Sequence, residues 1–225
     1  MSPLDSHAKP QERAYERANK PAGEQKGAVL IISGPSGCGK STLTKALIEA
    51  IPQVYFSIST TTRPMREGEI DGVHYHFVSK DQFLQDVKEG VFLEWAEVHT
   101  NFYGTSLKPV QEALAQDKIV LFDVDVQGHE SIKKHFGDFA KSIFITTKSK
   151  EILHQRLNAR QSDDRQTIEF RLIQAHNEMQ HISAFDYIII NDEIEAAKEA
   201  IIAIARSLKY QQFDRFRAII ENWQD

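Results

Sequence analysis

The sequence predicts an α/β protein in which a parallel sheet is flanked by helices, with a small mixed-β insertion. Short apolar runs alternate with amphipathic stretches from Gly27 onward, which is typical of parallel strands joined by helical crossovers. A glycine-rich turn over 34–41 connects the first apolar run to the first amphipathic stretch. Further β-like segments cluster between Ser59 and Gly104 and interrupt the alternation. These segments therefore predict an insertion into the parallel core.

Apolar runs bounded by turn residues predict the strands, and apolar positions near a 3.6-residue period predict the helices. The predicted strands are Ala28–Ser33, Tyr55–Ile58, His74–Val78, Val91–Val98, Phe102–Gly104, Lys118–Val124, Lys141–Ile145 and Tyr187–Ile190. The predicted helices are Gly39–Ala50, Lys80–Glu89 behind a capping box at Ser79, Ser106–Gln116, Gln127–His135, Ser149–Arg160, Thr167–Ser183 and Ile194–Trp223. The charged run Gln161–Arg165 has no apolar residue and predicts a break between two helices.

The chain is long enough for one compact domain. Residues 1–26 are polar and contain three prolines, so they predict a disordered extension. We expect residues 27–225 to form the domain. Its core is predicted over 27–58 and 106–225 and the insertion over 59–105.

Charge and composition exclude several classes of partner. The net charge of −5 gives no overall field that attracts nucleic acid or an anionic membrane. No apolar stretch approaches the roughly 18–20 residues needed to span a bilayer. The single cysteine excludes an internal disulfide and agrees with a reducing cytoplasm. We therefore expect a cytoplasmic protein without nucleic-acid or membrane partners, and self-association into a homo-oligomer stays open.

The turn after the first strand has the spacing of a phosphate-binding loop, as in P-loop NTPases. Glycines let successive backbone N–H groups point at one anion, and the helix that follows adds a positive dipole end. Lys40 can reach the terminal phosphates, and the hydroxyl of Ser41 can ligate Mg²⁺. The predicted ATP-binding residues of this loop are Gly34, Pro35, Ser36, Gly37, Cys38, Gly39, Lys40, Ser41 and Thr42. A turn that only joins strand to helix would not require this spacing, so we expect a bound nucleoside triphosphate.

The polar run Ser57–Glu69 offers hydroxyls and two arginines at the end of a strand. Arg63 and Arg66 can form bidentate bonds to a second phosphate, to which Tyr75 can add its phenol. The alternative is a solvated loop with surface ion pairs. Nearby histidines alternate with apolar residues, which favours the exposed face of a strand over a metal site.

Three acidic residues lie in or directly after apolar runs. Glu94 stands inside an apolar run, where an ionised carboxylate is costly unless donors meet it. Either a structural arginine or the N–H edge of a nucleobase would satisfy it. Asp123 and Asp125 follow the run 119–122, where a P-loop protein holds the water shell of its Mg²⁺.

Taken together, these stretches resemble the guanylate kinase family, which makes GDP from GMP and ATP. The resemblance covers about 27–206 and is most specific in the Ser-x-Ser-x-Thr-Thr-Arg-x-x-Arg-x-Gly-Glu string. The other matching motifs are Gly34–Ser41, Glu94-Trp95, Tyr103-Gly104-Thr105, Asp123–Gly128 and the arginine-rich segment from Arg156. The resemblance implies a P-loop core, ATP as phosphoryl donor, GMP as acceptor and Mg²⁺ as cofactor.

The resemblance also implies roles for individual residues. The GMP phosphate would be held by Ser59, Arg63, Arg66, Tyr75 and Tyr103. Guanine would be read by Glu94 and Thr105 with Asp123, next to Gly104. A helical lid over about 156–171 is also implied, whose arginines Arg156, Arg160 and Arg171 would close over the transferred phosphate, although the first two also fit a solvated basic face. Asn191 matches a position near the ATP adenine.

Two other functions remain open from the sequence. A related P-loop kinase could act on another phosphorylated small molecule, against which Glu94 and the pair Arg63 and Arg66 argue. A guanylate-kinase-like binding module could recognise phosphorylated proteins, but such modules typically have a degenerate phosphate loop. Here Gly39, Lys40 and Ser41 are intact.

Overall fold

A computed structural model of the protein describes residues 27–98, 100–159, 164–211 and 220–223. The predicted disorder of 1–26 and the predicted lid residue Arg160 lie outside the described residues, as does most of the predicted helix after 211.

The strands are β1 (Ala28–Ser33), β2 (Val54–Phe56), β3 (Thr60–Thr61), β4 (His76–Phe77), β5 (Phe92–Val98), β6 (Asn101–Ser106), β7 (Ile119–Asp123), β8 (Ala140–Thr146) and β9 (Tyr187–Ile190). The α-helices of the described residues are α1 (Lys40–Ala50), α2 (Lys80–Glu89), α3 (Leu107–Ala115), α4 (Val126–Phe136), α5 (Lys150–Ala159), α6 (Arg165–Met179) and α7 (Ile194–Ser207).

The central sheet is parallel, with strand order β2-β7-β1-β8-β9. All six residues of β1 are buried, because helices cover both faces of the sheet. One face packs Leu30 and Ile32 against α1 and α7. The other packs Val29 and Ile31 against α3 and α4. The predicted fold class is confirmed by this arrangement.

A second, mixed sheet has the order β4-β3-β6-β5 and lies between the second and seventh strands of the chain. Its core is aromatic: the ring of Phe83 on α2 stacks on Phe92 and Phe102, with centroids 4.5 and 5.5 Å away. Gly104 in β6 lies against this cluster, and a Cβ there would come within 2.9 Å of Phe92. The glycine therefore lets the strand approach the rings closely.

Three element predictions were wrong in part. The strand Thr60–Thr61 was missed because a run of threonines carries no apolar alternation, yet it pairs with β4 and β6. The helix predicted over Thr167–Ser183 begins earlier, behind the capping carboxylate of Asp164, and ends at Met179. The helix predicted from Ile194 to Trp223 ends at Ser207. A 3₁₀ turn then buries Leu208, and the backbone is extended at Gln211.

A partly exposed polar junction ties β8 and β9 to α4. The carboxylate of Asp186 accepts bonds from the backbone N–H and hydroxyl of Ser142, at 2.8 and 2.7 Å, and from Lys133 at 2.8 Å. Burial alone would raise the pKa of Asp186, but the bonds from Lys133 and Ser142 outweigh it and hold the pKa below its ordinary value. One side chain thus connects the loop before the edge strand to both neighbours.

We expect Asp186→Ala to lower the free energy of unfolding by about 2 kcal/mol, because it leaves several donors without their acceptor. Urea denaturation at neutral pH measures this loss, and Asp138→Ala at an exposed position should change stability by less than about 0.5 kcal/mol. Because the folded pKa of Asp186 is lowered, its contribution is present above the ordinary pKa of about 3.9 and is lost as the pH falls. A difference between wild type and variant that persists unchanged in acid would contradict this account.

Candidate active site

The glycine loop lies at the carboxyl edge of the central sheet, between β1 and α1. Gly34 has a φ of 137°, and a Cβ there would come within 1.9 Å of the carbonyl oxygen of Ile145. Gly39 has a φ of 100° and directly precedes α1. These two glycines let the backbone curl against the end of β8, which exposes the start of α1.

Side chains of the loop divide into buried and accessible ones. Cys38 is fully buried, and burial raises the pKa of its thiol. Ser36, Ser41 and Thr42 are exposed, so their hydroxyls are free to meet a ligand. Lys40 is half-buried, and its ammonium donates to the carbonyl oxygens of Gly34 and Pro35, the latter at 3.2 Å. The loop's own carbonyls thus hydrogen-bond the lysine.

Asn191, which directly follows β9, contacts the glycine loop. The side-chain amide of Asn191 donates to the carbonyl oxygen of Cys38 at 2.8 Å, and Asn191 is 3% exposed. The guanidinium of Arg156 on α5 donates to the backbone oxygen of Asn191 at 2.7 Å. Arg171 is half-buried on α6. The structure thus places Arg156 next to the residue that supports the loop, and Arg160 lies outside the described residues.

One cleft of about 530 Å³ is lined by residues of both predicted phosphate sites. Ser41 at the start of α1 and Asp123 at the end of β7 line it on one side, and Ser59, Glu69 and Tyr75, in the segments before β3 and between β3 and β4, line it on the other. Burial raises the pKa of Asp123, and the nearby Lys40 opposes this shift. The cleft therefore brings the loop hydroxyl, an aspartate and the polar run after β2 to one place.

The guanidinium of Arg63 is held in place on several sides. It forms an ion pair with Glu69 at 2.7 Å, donates to Pro64 O at 2.7 Å and lies 5.4 Å from the ring centre of Tyr75. The side chains of Arg63 and Glu69 are only 11% and 17% exposed, so this is not the surface ion pair that the alternative interpretation required. Tyr75 meets Tyr103 edge to face at 6.0 Å.

Glu69 bridges the two predicted phosphate arginines. One of its oxygens pairs with Arg63, and the other accepts the backbone N–H of Arg66 at 2.7 Å. The bond to Arg63 holds the pKa of Glu69 below its ordinary value. Sequence reasoning gave Glu69 no role, although it closes the string that begins at Ser57. A carboxylate six residues after an arginine in a glycine-containing turn was the available signal.

Glu94 on β5 faces Thr105 on β6, whose hydroxyl donates to the carboxylate at 2.7 Å. Burial raises the pKa of Glu94, and the bond from Thr105 opposes this shift. Within the part of the chain that the structure describes, the hydrogen-bond partner of Glu94 is therefore this hydroxyl and not an arginine. Asp125 instead caps α4, where its side chain accepts the N–H groups of Gln127 and Gly128.

A parallel sheet with a lysine- and serine-bearing glycine loop at its carboxyl edge, which shares one cleft with a second polar segment, defines a P-loop nucleotide kinase. A family model described as "Guanylate kinase" matches residues 26–208. A guanylate kinase of Helicobacter hepaticus is 80% identical over 88% of this chain and 99% of its own. The chain belongs to the guanylate kinase family, whose members phosphorylate GMP with ATP.

Further comparisons agree with this assignment. A guanylate kinase of Helicobacter pylori is 54% identical over 88% of this chain and 96% of its own. The crystal structure of guanylate kinase from Anaplasma phagocytophilum superposes with a TM-score of 0.68 at 31% identity, covering 83% of this chain and 88% of that one. Among the described residues, no helix has the length and apolar character needed to cross a bilayer.

We expect Glu94→Gln to melt at or above the wild-type temperature at neutral pH. The folded pKa of Glu94 is raised, so the folded protein holds this proton more tightly than the unfolded chain and loses stability as the pH rises through that pKa. The amide avoids this cost and keeps an oxygen for Thr105. Calorimetry should show the advantage shrinking toward the ordinary glutamate pKa of about 4.3. Glu97→Gln, on the exposed face of β5, is the control, and a marked fall in melting temperature for Glu94→Gln alone would contradict the assignment.

Proposed function

We propose that the protein transfers the γ-phosphoryl group of ATP to the α-phosphate of GMP, giving ADP and GDP, in purine nucleotide metabolism and GMP recycling. The observation that carries the proposal is the shared cleft, in which Ser41 of the glycine loop faces Ser59, Glu69 and Tyr75. Phosphoryl transfer needs donor and acceptor phosphates in line and close together, and one cleft lined from both sides supports this.

On the donor side, the loop would hold the phosphates of ATP. Its N–H groups and the start of α1 favour an anion, and Lys40 can exchange its bonds to Gly34 and Pro35 for bonds to phosphate oxygens. This exchange keeps the ammonium hydrogen-bonded in both states. The contact of Asn191 with Cys38 places Asn191 beside this loop, in agreement with its predicted place near ATP.

On the acceptor side, Arg63 and Arg66 would bind the phosphate of GMP, together with Ser59, Tyr75 and Tyr103. Arg63 is already oriented by Glu69 and by the ring of Tyr75, so little side-chain freedom remains to be lost on binding. The phosphate would bind the guanidinium of Arg63 together with Glu69, or would displace Glu69 from it.

Guanine recognition is proposed for Glu94 with Thr105, and for Asp123, beside Gly104. Guanine offers N1–H and its exocyclic amine as adjacent donors to one carboxylate, and adenine offers no such pair. The hydroxyl of Thr105 occupies one oxygen of Glu94 and thereby fixes its orientation. These predicted contacts reach base and phosphate only, so dGMP should also be accepted.

Mg²⁺ is the proposed cofactor, and the oxygen donors present fit it. Ser41 is exposed at the start of α1, and Asp123 lines the same cleft. Asp125 fits less well, because its carboxylate already caps α4. No group of three or more His, Cys, Asp or Glu side chains in the described part of the chain is arranged around a metal. We propose an ion held largely by phosphates and water. Bound there, Mg²⁺ would neutralise charge on the phosphates.

The chain's own part in the reaction is positioning and charge stabilisation. The attacking phosphate oxygen is already ionised, so no general base is required. Lys40 and the proposed lid arginines Arg156, Arg160 and Arg171 would offset the charge on the transferred group. Closure of the lid and of the GMP-binding part would exclude water as a competing acceptor. The division into core, insertion and lid, the cytoplasmic location, the absence of nucleic-acid partners and any homo-oligomer remain predictions.

We expect GMP and dGMP to be far better acceptors than AMP, CMP and UMP, by roughly 10⁴-fold in kcat/KM. Coupled measurement of ADP formation with each monophosphate tests this. Glu94→Gln should lose most of this preference, because the amide presents a donor to the guanine amine, and Glu97→Gln should keep it. AMP outpacing GMP with the wild-type protein would show that the base-reading assignment is wrong.

We expect Glu69→Gln to raise KM for GMP about tenfold and leave KM for ATP unchanged. The glutamine amide has one oxygen where the carboxylate has two, so it cannot replace both the acceptor of the Arg63 guanidinium and that of the Arg66 backbone N–H. One charge-assisted bond is therefore lost, and the two arginines lose their fixed spacing. Steady-state kinetics with each substrate varied in turn measure the two constants. Glu67→Gln, two residues away and exposed, is the matched control. An equal rise in both constants would mean that Glu69 supports the fold and not the acceptor phosphate.

A further inference from the structure

We propose that Asn191 is a positioning residue that turns the Cys38–Gly39 peptide, so that the N–H of Gly39 faces the bound phosphates. On this account Asn191 acts on ATP through the loop, and its effect does not require contact with adenine. The inference rests on the proposed binding of triphosphate by the glycine loop.

Asn191 is fixed from three directions. Its backbone N–H donates to Thr146 O at 2.7 Å, and its backbone oxygen accepts from Arg156 at 2.7 Å. Its side-chain amide donates to Cys38 O at 2.8 Å, in a buried contact that joins residues 153 positions apart. Because the backbone of Asn191 is fixed, its side chain can fix the position of the loop at Cys38.

The direction of that bond determines the direction of the neighbouring donor. The described peptide bonds contain no cis bond, so the peptide between Cys38 and Gly39 is trans. In a trans peptide the C=O and the following N–H point to opposite sides. Because Asn191 holds the carbonyl of Cys38 on the protein side, the N–H of Gly39 is turned to the other side, where the loop would receive phosphate.

Packing around Gly39 agrees with this role. A Cβ on Gly39 would come within 2.2 Å of the side-chain nitrogen of Asn191, so the amide lies in direct contact with the loop backbone. Gly39 also has a φ of 100°, which is strained for other residues. The glycine thus provides the space that Asn191 needs to reach Cys38.

The side-chain amide of Asn191 also has a free-energy cost that would not arise if the residue only filled space. Its side-chain oxygen is buried and has no hydrogen-bond partner among the described residues. Burying an unpaired acceptor is unfavourable, and an apolar side chain of similar size would avoid the cost. The opposite amide orientation would set two oxygens against each other at Cys38. We attribute this cost to the need for a hydrogen-bond donor under the loop.

The test separates the loop from the adenine by using an adenine-free ligand. Isothermal titration calorimetry would measure the binding of ATP and of inorganic tripolyphosphate, each with Mg²⁺, to wild type and to Asn191→Asp. The aspartate keeps the shape but removes the donor and faces Cys38 O with a second oxygen. We expect both ligands to bind about ten- to a hundredfold more weakly, by similar factors, and GMP binding to stay unchanged.

Two further variants keep the test decisive. Asn158→Asp is the matched control, since Asn158 is also an amide that donates to a backbone carbonyl, that of His154, but at an exposed position on α5. Asn191→Ala covers the case in which the aspartate prevents folding, and it should weaken both ligands by a smaller common factor. Melting curves without ligand identify any loss of folded protein.

The outcomes are distinguishable. Weaker ATP binding with unchanged tripolyphosphate binding would place the effect at the adenine and overturn the positioning role. Unchanged binding of both ligands would overturn it as well. A wild-type protein that bound neither ligand would instead refute the proposed triphosphate site, and the positioning role with it.

Discussion

The candidate active site depends on the close approach of the glycine loop to the carboxyl end of β8. Gly34 lies where a single methyl group would overlap the carbonyl of Ile145. The central sheet is close-packed on both faces, so this end of β8 cannot retreat to make room. The loop therefore curls over a rigid base, and the start of α1 is presented at a fixed place.

The second half of the site shows how buried charge is tolerated before a ligand arrives. Arg63 has Glu69 as an internal partner, and Glu94 has the hydroxyl of Thr105. The first pair balances charge, but the second gives the carboxyl group of Glu94 only one neutral donor. Burial of Glu94 is thus a cost in the free protein that suitable donors on a ligand would offset, which is how a site gains discrimination.

The sequence predicts most of the core because its signals there are local. The apolar run Ala28–Ser33 and the glycine spacing after it determine strand, turn and helix without help from distant residues. Thr60–Thr61 was missed because its pairing partners in β4 and β6 lie 16 to 44 residues away along the chain, and threonine alternation carries no apolar signal. The contact of Asn191 with Cys38 could not be predicted for the same reason, since no local feature of either segment identifies the other as its partner. Family resemblance supplied candidate residues, whereas their mutual bonds, such as that of Glu69 with Arg63, required the folded arrangement.

Burial of Cys38 affects how this protein reacts with oxidants in the cell. The protein has a single thiol, and it lies within the loop proposed to bind ATP. That thiol is fully buried, and burial raises its pKa, so the reactive thiolate is scarce and inaccessible. Peroxides and disulfides attack exposed thiolates first. The loop can therefore use a small sulfur-containing side chain for packing without making phosphate binding sensitive to the redox state of its surroundings.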